Sequence, residues 1–109
     1  MKVAVIGSRS ITDFDLEGVI PANATEIISG GAKGVDSLAR AYADTHGIPC
    51  LVILPDYPQY GRAAPLRRNA EIIRAADLII AIWDGESKGT AFVIDECART
   101  GRPCTVIRP

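Results

Sequence analysis

Five short apolar runs are strung along this chain, separated by longer stretches with helical periodicity. Val3 to Ile6 stops at Gly7, Glu26 to Ser29 at Gly30-Gly31, Cys50 to Leu54 at Pro55, and Leu78 to Trp83 at Asp84-Gly85; the fifth run is Thr105 to Ile107. The runs are mainly apolar and do not alternate, so each reads as a strand buried on both faces. A parallel sheet covered by helices needs such strands.

The intervening stretches carry helix signals. Val35, Leu38, Ala39, Tyr42 and Ala43 make one apolar stripe, closed by His46-Gly47 with Pro49 beyond. The imidazole of His46 then serves the negative end of the helix dipole. Leu66, Asn69, Ile72, Ile73 and Ala76 make a second stripe after Pro65. Thr90 is placed to cap a third helix, with Ala91, Ile94, Cys97 and Ala98 on its inner face and Gly101 at its end. Thr12 to Ile20 is weaker, with Thr12 or Asp13 as the cap of a short helix before Pro21. Asp56 to Pro65 is expected as the longest irregular stretch, and loops of that length commonly carry function. The expected order is βαβαβαβαβ. It implies an α/β domain over residues 1–109, Rossmann-like and doubly wound, with a five-stranded parallel sheet and helices on both faces.

Bulk properties narrow the function. Hydrophobic residues make up 48% of the 109, enough to drive burial of a core. No apolar run approaches the ~18 residues of a membrane span, and the first residues lack signal-peptide form, so the expected location is the cytoplasm. The formal net charge of −1 offers no global attraction to nucleic acid or to an anionic membrane. Cys50, Cys97 and Cys104 form no C-x-x-C pair and read as small reduced hydrophobes rather than metal ligands.

Ligands of open parallel sheets bind beyond the carboxyl ends of the strands. Four segments converge there: Gly7-Ser8-Arg9-Ser10, Ser29 to Gly34, Asp56 to Pro65, and Trp83 to Thr90. In the second, Gly30, Gly31 and Gly34 lie between a strand and a helix, with Lys33 at the rim. Such a loop either cradles phosphate on its amides or only makes a tight turn. Gly31 is the expected point of close backbone approach to the ligand. In the fourth, Gly85, Ser87, Lys88, Gly89 and Thr90 form either a second cradle or an ordinary Ser/Thr cap. Arg68 and Asn69 open the second helix, with Arg67 beside them and Arg62 upstream. Neither G-x-G-x-x-G nor a Walker A string occurs, and no cofactor or metal is expected.

Catalytic groups are sparse. His46 lies away from the ligand edge, which removes His-dependent triads. The candidate carboxylates are Asp36, Asp56, Asp84 and Glu86; Asp36 either binds a ribose or loop N–H or favours the helix dipole. Trp83, Tyr57 and Tyr60 are candidate stacking platforms.

Together, Gly7-Ser8-Arg9, the string Ser29-Gly30-Gly31-Ala32-Lys33-Gly34-Val35-Asp36, the pair Arg68-Asn69, and Gly89-Thr90 resemble the SLOG superfamily of Rossmann-like domains. The second string is similar to the glycine loop of DprA proteins, and the stretch Gly61 to Asn69 followed by the Gly89-Thr90 loop is most similar to small stand-alone YspA-like members. The resemblance implies binding of a nucleotide or nucleotide derivative, and a homodimer or higher oligomer. LOG enzymes of this superfamily cleave nucleoside-monophosphate N-glycosidic bonds with a P-G-G-x-G-T-x-x-E motif. Here Val93 stands where that glutamate would, and no Pro-Gly-Gly precedes it. The expected function is a sensor or carrier of a nucleotide-like phosphate ligand. The alternatives are a LOG-like phosphoribohydrolase using Asp36 or Glu86, and DprA-like single-stranded DNA binding along Arg9, Lys33, Arg62, Arg67, Arg68 and Lys88.

Overall fold

The computed structural model describes all 109 residues. Its elements are β1 (Lys2–Gly7), β2 (Glu26–Ser29), α1 (Val35–His46), β3 (Cys50–Val52), α2 (Tyr57–Tyr60), α3 (Ala64–Ala75), β4 (Leu78–Ile82), α4 (Lys88–Thr100) and β5 (Cys104–Ile107). The five strands form one sheet in the order β3-β2-β1-β4-β5, with every neighbouring pair parallel. The chain winds outward from β1 through β2 to β3, then crosses back to β4 and β5. The order therefore reverses between β1 and β4.

Side chains alternate across the central strands, and both faces are buried. Val3, Val5, Ile27, Ile80 and Ile82 face α1; Ala4, Ile6, Ile28, Ile79 and Ala81 face α3 and α4. Ile27, Ile28, Ile79, Ile80 and Ile82 are almost inaccessible, each burial contributing about 1.5–3 kcal/mol. The edge strands are thinner: Leu51 on β3 and Val106 on β5 remain exposed.

The five parallel strands and the covering of both faces agree with the sequence pattern. Four local expectations do not hold. Thr12 to Ile20 forms no helix. Asp15 accepts the Glu17 amide and Gly18 takes φ 77°, so local side-chain bonding and a left-handed residue displace the helix. Leu16 and Ile20 are nevertheless buried and complete the face beside α1. Asp56 to Pro65 is not an irregular loop: Asp56 caps α2 by accepting the Gln59 amide, and a single 3-10 turn over Gly61–Ala63 leads directly into α3. Ser87, not Thr90, caps α4, and the inner positions of that helix are Thr90, Val93 and Cys97, with Ala98 exposed. Leu66 is exposed because the buried stripe of α3 runs through Ala64, Asn69, Ile72 and Ile73. Gly47 closes α1 in the left-handed conformation, as the His46-Gly47 pair implies. His46 Nε2 also meets Glu17 Oε1 at 2.5 Å, tying the irregular segment to the helix end. All three cysteines are free; Cys97 is buried, while Cys50 and Cys104 are only half-buried.

Candidate functional site

A cleft of about 460 Å³ opens at the carboxyl ends of β1 and β4, where the strand order reverses. Parallel sheets bind ligands at this switch point, and the volume falls within the ~300–1,000 Å³ of small-ligand pockets. The segments after β1, β2 and β4 and the first half of α3 supply its walls. Its apolar floor is Ile6, Ile72 and Val93, and its rim is polar.

The β1 segment contributes Gly7, Arg9 and Ser10 to the cleft. Gly7 must lack a side chain, because a Cβ there would run into the Ile82 carbonyl and Val35. Ser8 is buried behind the wall; its hydroxyl accepts the Asp84 amide at 3.0 Å and joins the β1 and β4 ends. Arg9 reaches the rim without an ion-pair partner, since the two ion pairs of the chain are His46–Glu17 and Arg99–Glu96.

The glycine-rich loop after β2 is closed on itself. Ser29 Oγ accepts the Gly31 amide at 3.2 Å and donates to the Asp36 carbonyl at 3.3 Å. Asp36 Oδ2 accepts the Ala32 amide at 3.1 Å, and the Val35 amide reaches the Ser8 carbonyl at 3.4 Å. Of this loop, Gly30, Ala32 and Asp36 line the cleft. A Cβ on Gly30 would lie 2.9 Å from both Arg68 Nη1 and Asp36 Oδ2, so close approach belongs to Gly30. Gly31 turns the other way, where a Cβ would meet Leu54 and Val52, and this corrects its expected role as the point of ligand approach. Gly34 packs the loop against the backbone of Ser8 and Arg9, Ser29 is buried, and Lys33 is exposed outside the cleft. Burial pushes the Asp36 carboxyl above its ordinary value, although the Ala32 amide, Arg68, the Gly7 amide and Arg9 all pull it down.

The loop after β4 is built differently. Asp84 Oδ1 accepts the amides of Glu86 and Ser87, both at 2.8 Å, and its Oδ2 accepts Ser10 Oγ at 2.7 Å. Backbone bonding from Glu86, then Ser10 and Ser87, holds this carboxyl well below the usual carboxylate range. Ser87 Oγ accepts the Thr90 amide at 3.4 Å. The Gly89 amide lies in the first turn of α4 and has no acceptor within the helix. Gly89 lines the cleft, and a Cβ on it would meet nothing within 4 Å. Ser87 and the buried Thr90 also line it. Gly85 sits against the Arg108 guanidinium, and Glu86 and Lys88 are exposed; none of the three lines the cleft.

From α3, Arg68 donates through Nη1 to the Gly30 carbonyl at 2.5 Å and through Nε to Asn69 Oδ1 at 2.8 Å. Burial lowers the Arg68 pKa, opposed mainly by the charge of Asp36. Asn69 is only 8% exposed and lines the cleft, and its amide nitrogen donates to no acceptor in the chain.

Pattern reasoning placed Ser10, Pro65 and Asp84 on the ligand edge without a binding role, and it missed the apolar floor. Asp84 had a local signal, since an Asp three residues before a Ser cap favours a turn that presents its carboxylate to following amides. The remaining basic and aromatic candidates do not gather at the cleft. Arg67 stacks on Tyr60 with its guanidinium 5.0 Å from the ring centroid, and Arg108 covers Trp83 at 5.8 Å. Arg62 and Tyr57 are exposed on the α2 side.

Comparison with known proteins gives two matches. The model of the family YAcAr, described as "YspA, cpYpsA-related SLOG family", matches residues 1–60. No curated protein matches the chain. Among solved structures, the X-ray structure of DNA processing protein A (DprA) from Streptococcus pneumoniae is similar, with a TM-score of 0.78 at 21% identity. That similarity covers 99% of this chain and 50% of the other, so the chain spans half the length of that solved chain. At such identity the likeness establishes the fold. No helix here is long and apolar enough to cross a membrane.

Proposed function

The chain belongs to YAcAr, the YspA, cpYpsA-related SLOG family, and on that premise we propose that it binds a nucleotide or nucleotide-derived phosphate ligand in the cleft between β1 and β4. The observation that carries this reading is the open first turn of α4, which faces a cleft also reached by Arg9 and Arg68. A phosphoryl group there meets the Gly89 amide and the positive end of the α4 dipole. The Ile6, Ile72 and Val93 floor suits the flat apolar face of a base or sugar. Asn69 adds a side-chain amide nitrogen that has no partner in the chain and remains accessible to the cleft.

Binding without LOG-type hydrolysis is favoured by Val93. Its side chain lines the cleft three residues after Thr90, where the LOG pattern has glutamate, so α4 brings no carboxylate to a glycosidic bond. Glu86, the other candidate acid, stands outside the cleft. A sensor or carrier role fits a cleft whose carboxylates, Asp36 and Asp84, are held by loop amides and the Ser10 hydroxyl.

Thermal-shift measurement against a panel of nucleotides and nucleotide derivatives tests this, with Gly89→Leu beside wild type. A ligand at 100 times its Kd adds about 2.7 kcal/mol of stability. The expected result is a clear rise in Tm for at least one phosphate compound with wild type. Gly89→Leu adds bulk at a lining position where a Cβ meets nothing within 4 Å; it keeps its own Tm and loses the ligand-induced rise. If no phosphate compound shifts wild type, or if the leucine variant responds as fully as wild type, this assignment of the site fails.

A further inference from the structure

We infer that Asp36 determines specificity in this cleft: its carboxylate fills the anion position of the glycine-rich loop, so the cleft accepts a ligand with one phosphoryl group, seated at α4, and rejects di- and triphosphate chains. This rests on the binding reading above and adds a restriction that the reading does not contain.

The loop from Ser29 to Gly34 has the strand–glycine–helix form that elsewhere surrounds phosphate with amides. Here three donors are engaged, and of the loop amides without an acceptor those of Lys33 and Gly34 lie outside the cleft lining. The Ala32 amide donates to Asp36, the Gly31 amide to Ser29, and the Val35 amide at the start of α1 to the Ser8 carbonyl. Asp36 is 6% exposed and lines the cleft, so the positive end of α1 holds an anion from its own first turn. Arg68 is likewise engaged, through the Gly30 carbonyl and Asn69. A second phosphoryl group on this side meets the Asp36 carboxylate, and of the loop's two lining residues, Gly30 and Ala32, the Ala32 amide is already taken.

The α4 side differs. The Gly89 amide is unengaged, and the space beside it is empty. Asp84 is a second carboxylate on the rim, but three donors hold its oxygens: the Glu86 and Ser87 amides and the Ser10 hydroxyl. Arg9 and Arg68 are therefore set against Asp36 and Asp84, and the lining carries no formal net charge. Such a lining suits a ligand of low charge and penalises a polyphosphate.

Calorimetric titration with AMP, ADP and ATP, without divalent cation, tests the inference on wild type and Asp36→Asn. Inorganic phosphate and pyrophosphate serve as base-free probes. Asparagine keeps an oxygen for the Ala32 amide, and circular dichroism checks the fold. Wild type is expected to bind AMP at least about tenfold tighter than ADP or ATP, and phosphate tighter than pyrophosphate. In Asp36→Asn the AMP-to-ADP ratio falls to about threefold or less through a gain in ADP affinity. Wild type binding ADP or ATP as tightly as AMP overturns the inference while leaving the binding site standing. So does a variant with an unchanged ratio. If neither protein binds any of the five probes, the phosphate-site reading falls and the inference with it.

Discussion

Two glycine-rich loops leave the same edge of the sheet and enter helices, and they end in opposite states. Between β2 and α1 the loop folds onto itself: Ser29 and Asp36 each take one of its amides, and Gly34 locks it against the β1 segment. Between β4 and α4 the turn is held from outside the helix by Asp84 and Ser87, and Gly89 is left facing open space. The first loop has the denser glycine pattern, yet its Gly31 and Ala32 amides are taken, while the second places an unpartnered amide, that of Gly89, at the cleft. Glycine density thus reports where the backbone must turn or pack closely. Whether a loop binds anions depends on how many of its amides are left without a partner.

The sharpest way to break this contrast is to add the same methyl group to each loop. A Cβ on Gly34 would lie 2.5 Å from the Ser8 carbonyl oxygen and 2.7 Å from Arg9 Cα, at a φ of 74°. Both obstacles are backbone and have little freedom to yield. Overpacking and left-handed strain together predict that Gly34→Ala costs about 2–4 kcal/mol. Gly89→Ala meets nothing and should change stability by no more than ~1 kcal/mol, in the favourable direction. Urea unfolding of both variants gives the comparison. Similar costs at the two positions would mean that the loops do not differ in the way described.

A smaller effect separates stability from binding within the closed loop. Gly31 has φ 73°, and a Cβ on it would approach Leu54 Cδ2 to 2.7 Å and Val52 Cγ1 to 2.8 Å. Both are side-chain ends, and Leu54 is 65% exposed, so the neighbours can give way. Gly31→Val should lower stability by about 1–3 kcal/mol and leave affinity for a cleft ligand unchanged. Loss of ligand binding in a folded Gly31→Val protein would restore this loop as the phosphate site.

The glycine string alone suggests the opposite outcome, and the reason shows what a sequence makes legible. Apolar runs such as Val3 to Ile6 and Leu78 to Ile82 identify the central strands, because burial on both faces leaves a compositional trace. Strand–helix alternation then brings Arg9, Asp36, Arg68 and Thr90 to one edge. The direction of each glycine leaves no such trace. Gly30 and Gly31 are adjacent, yet one lines the cleft and the other packs on β3, since successive residues of an extended turn face opposite ways. The bond from Asp36 to the Ala32 amide is equally hidden, because it depends on how the loop curls back on the first turn of α1. The helix expected over Thr12 to Ile20 failed for a local reason, in that Asp15 found a backbone partner nearer than a helix would allow. The family match over residues 1–60 contains the closed loop but not α4, so the open half of the cleft rests on geometry alone.

The subtlest test uses the two carboxylates, which titrate in opposite directions. Burial raises the Asp36 pKa above the ordinary 3.8, so between that value and its folded pKa the native state holds a proton that the unfolded chain has lost. Stability therefore falls as pH rises through this window, and above it the ionised, buried group imposes a constant penalty. Asp36→Asn removes the penalty and keeps an acceptor for the Ala32 amide. The variant should melt higher than wild type near neutral pH, and this advantage should shrink to nothing at pH values below about 3, where Asp36 is protonated in both folded and unfolded states. Asp84 runs the other way. Its amide and hydroxyl partners depress its pKa, so its contribution is present above the ordinary carboxylate value and is lost as pH falls towards its folded pKa. Asp84→Asn should accordingly melt lower than wild type at neutral pH and converge with it in acid. Because the other carboxylates are common to all three proteins, differences in Tm against pH isolate each group. An Asp36→Asn protein that melts lower than wild type at neutral pH would mean that the ionised carboxylate stabilises the closed loop. The charge would then be a structural clasp, and its presence in the cleft would need no explanation in terms of the ligand.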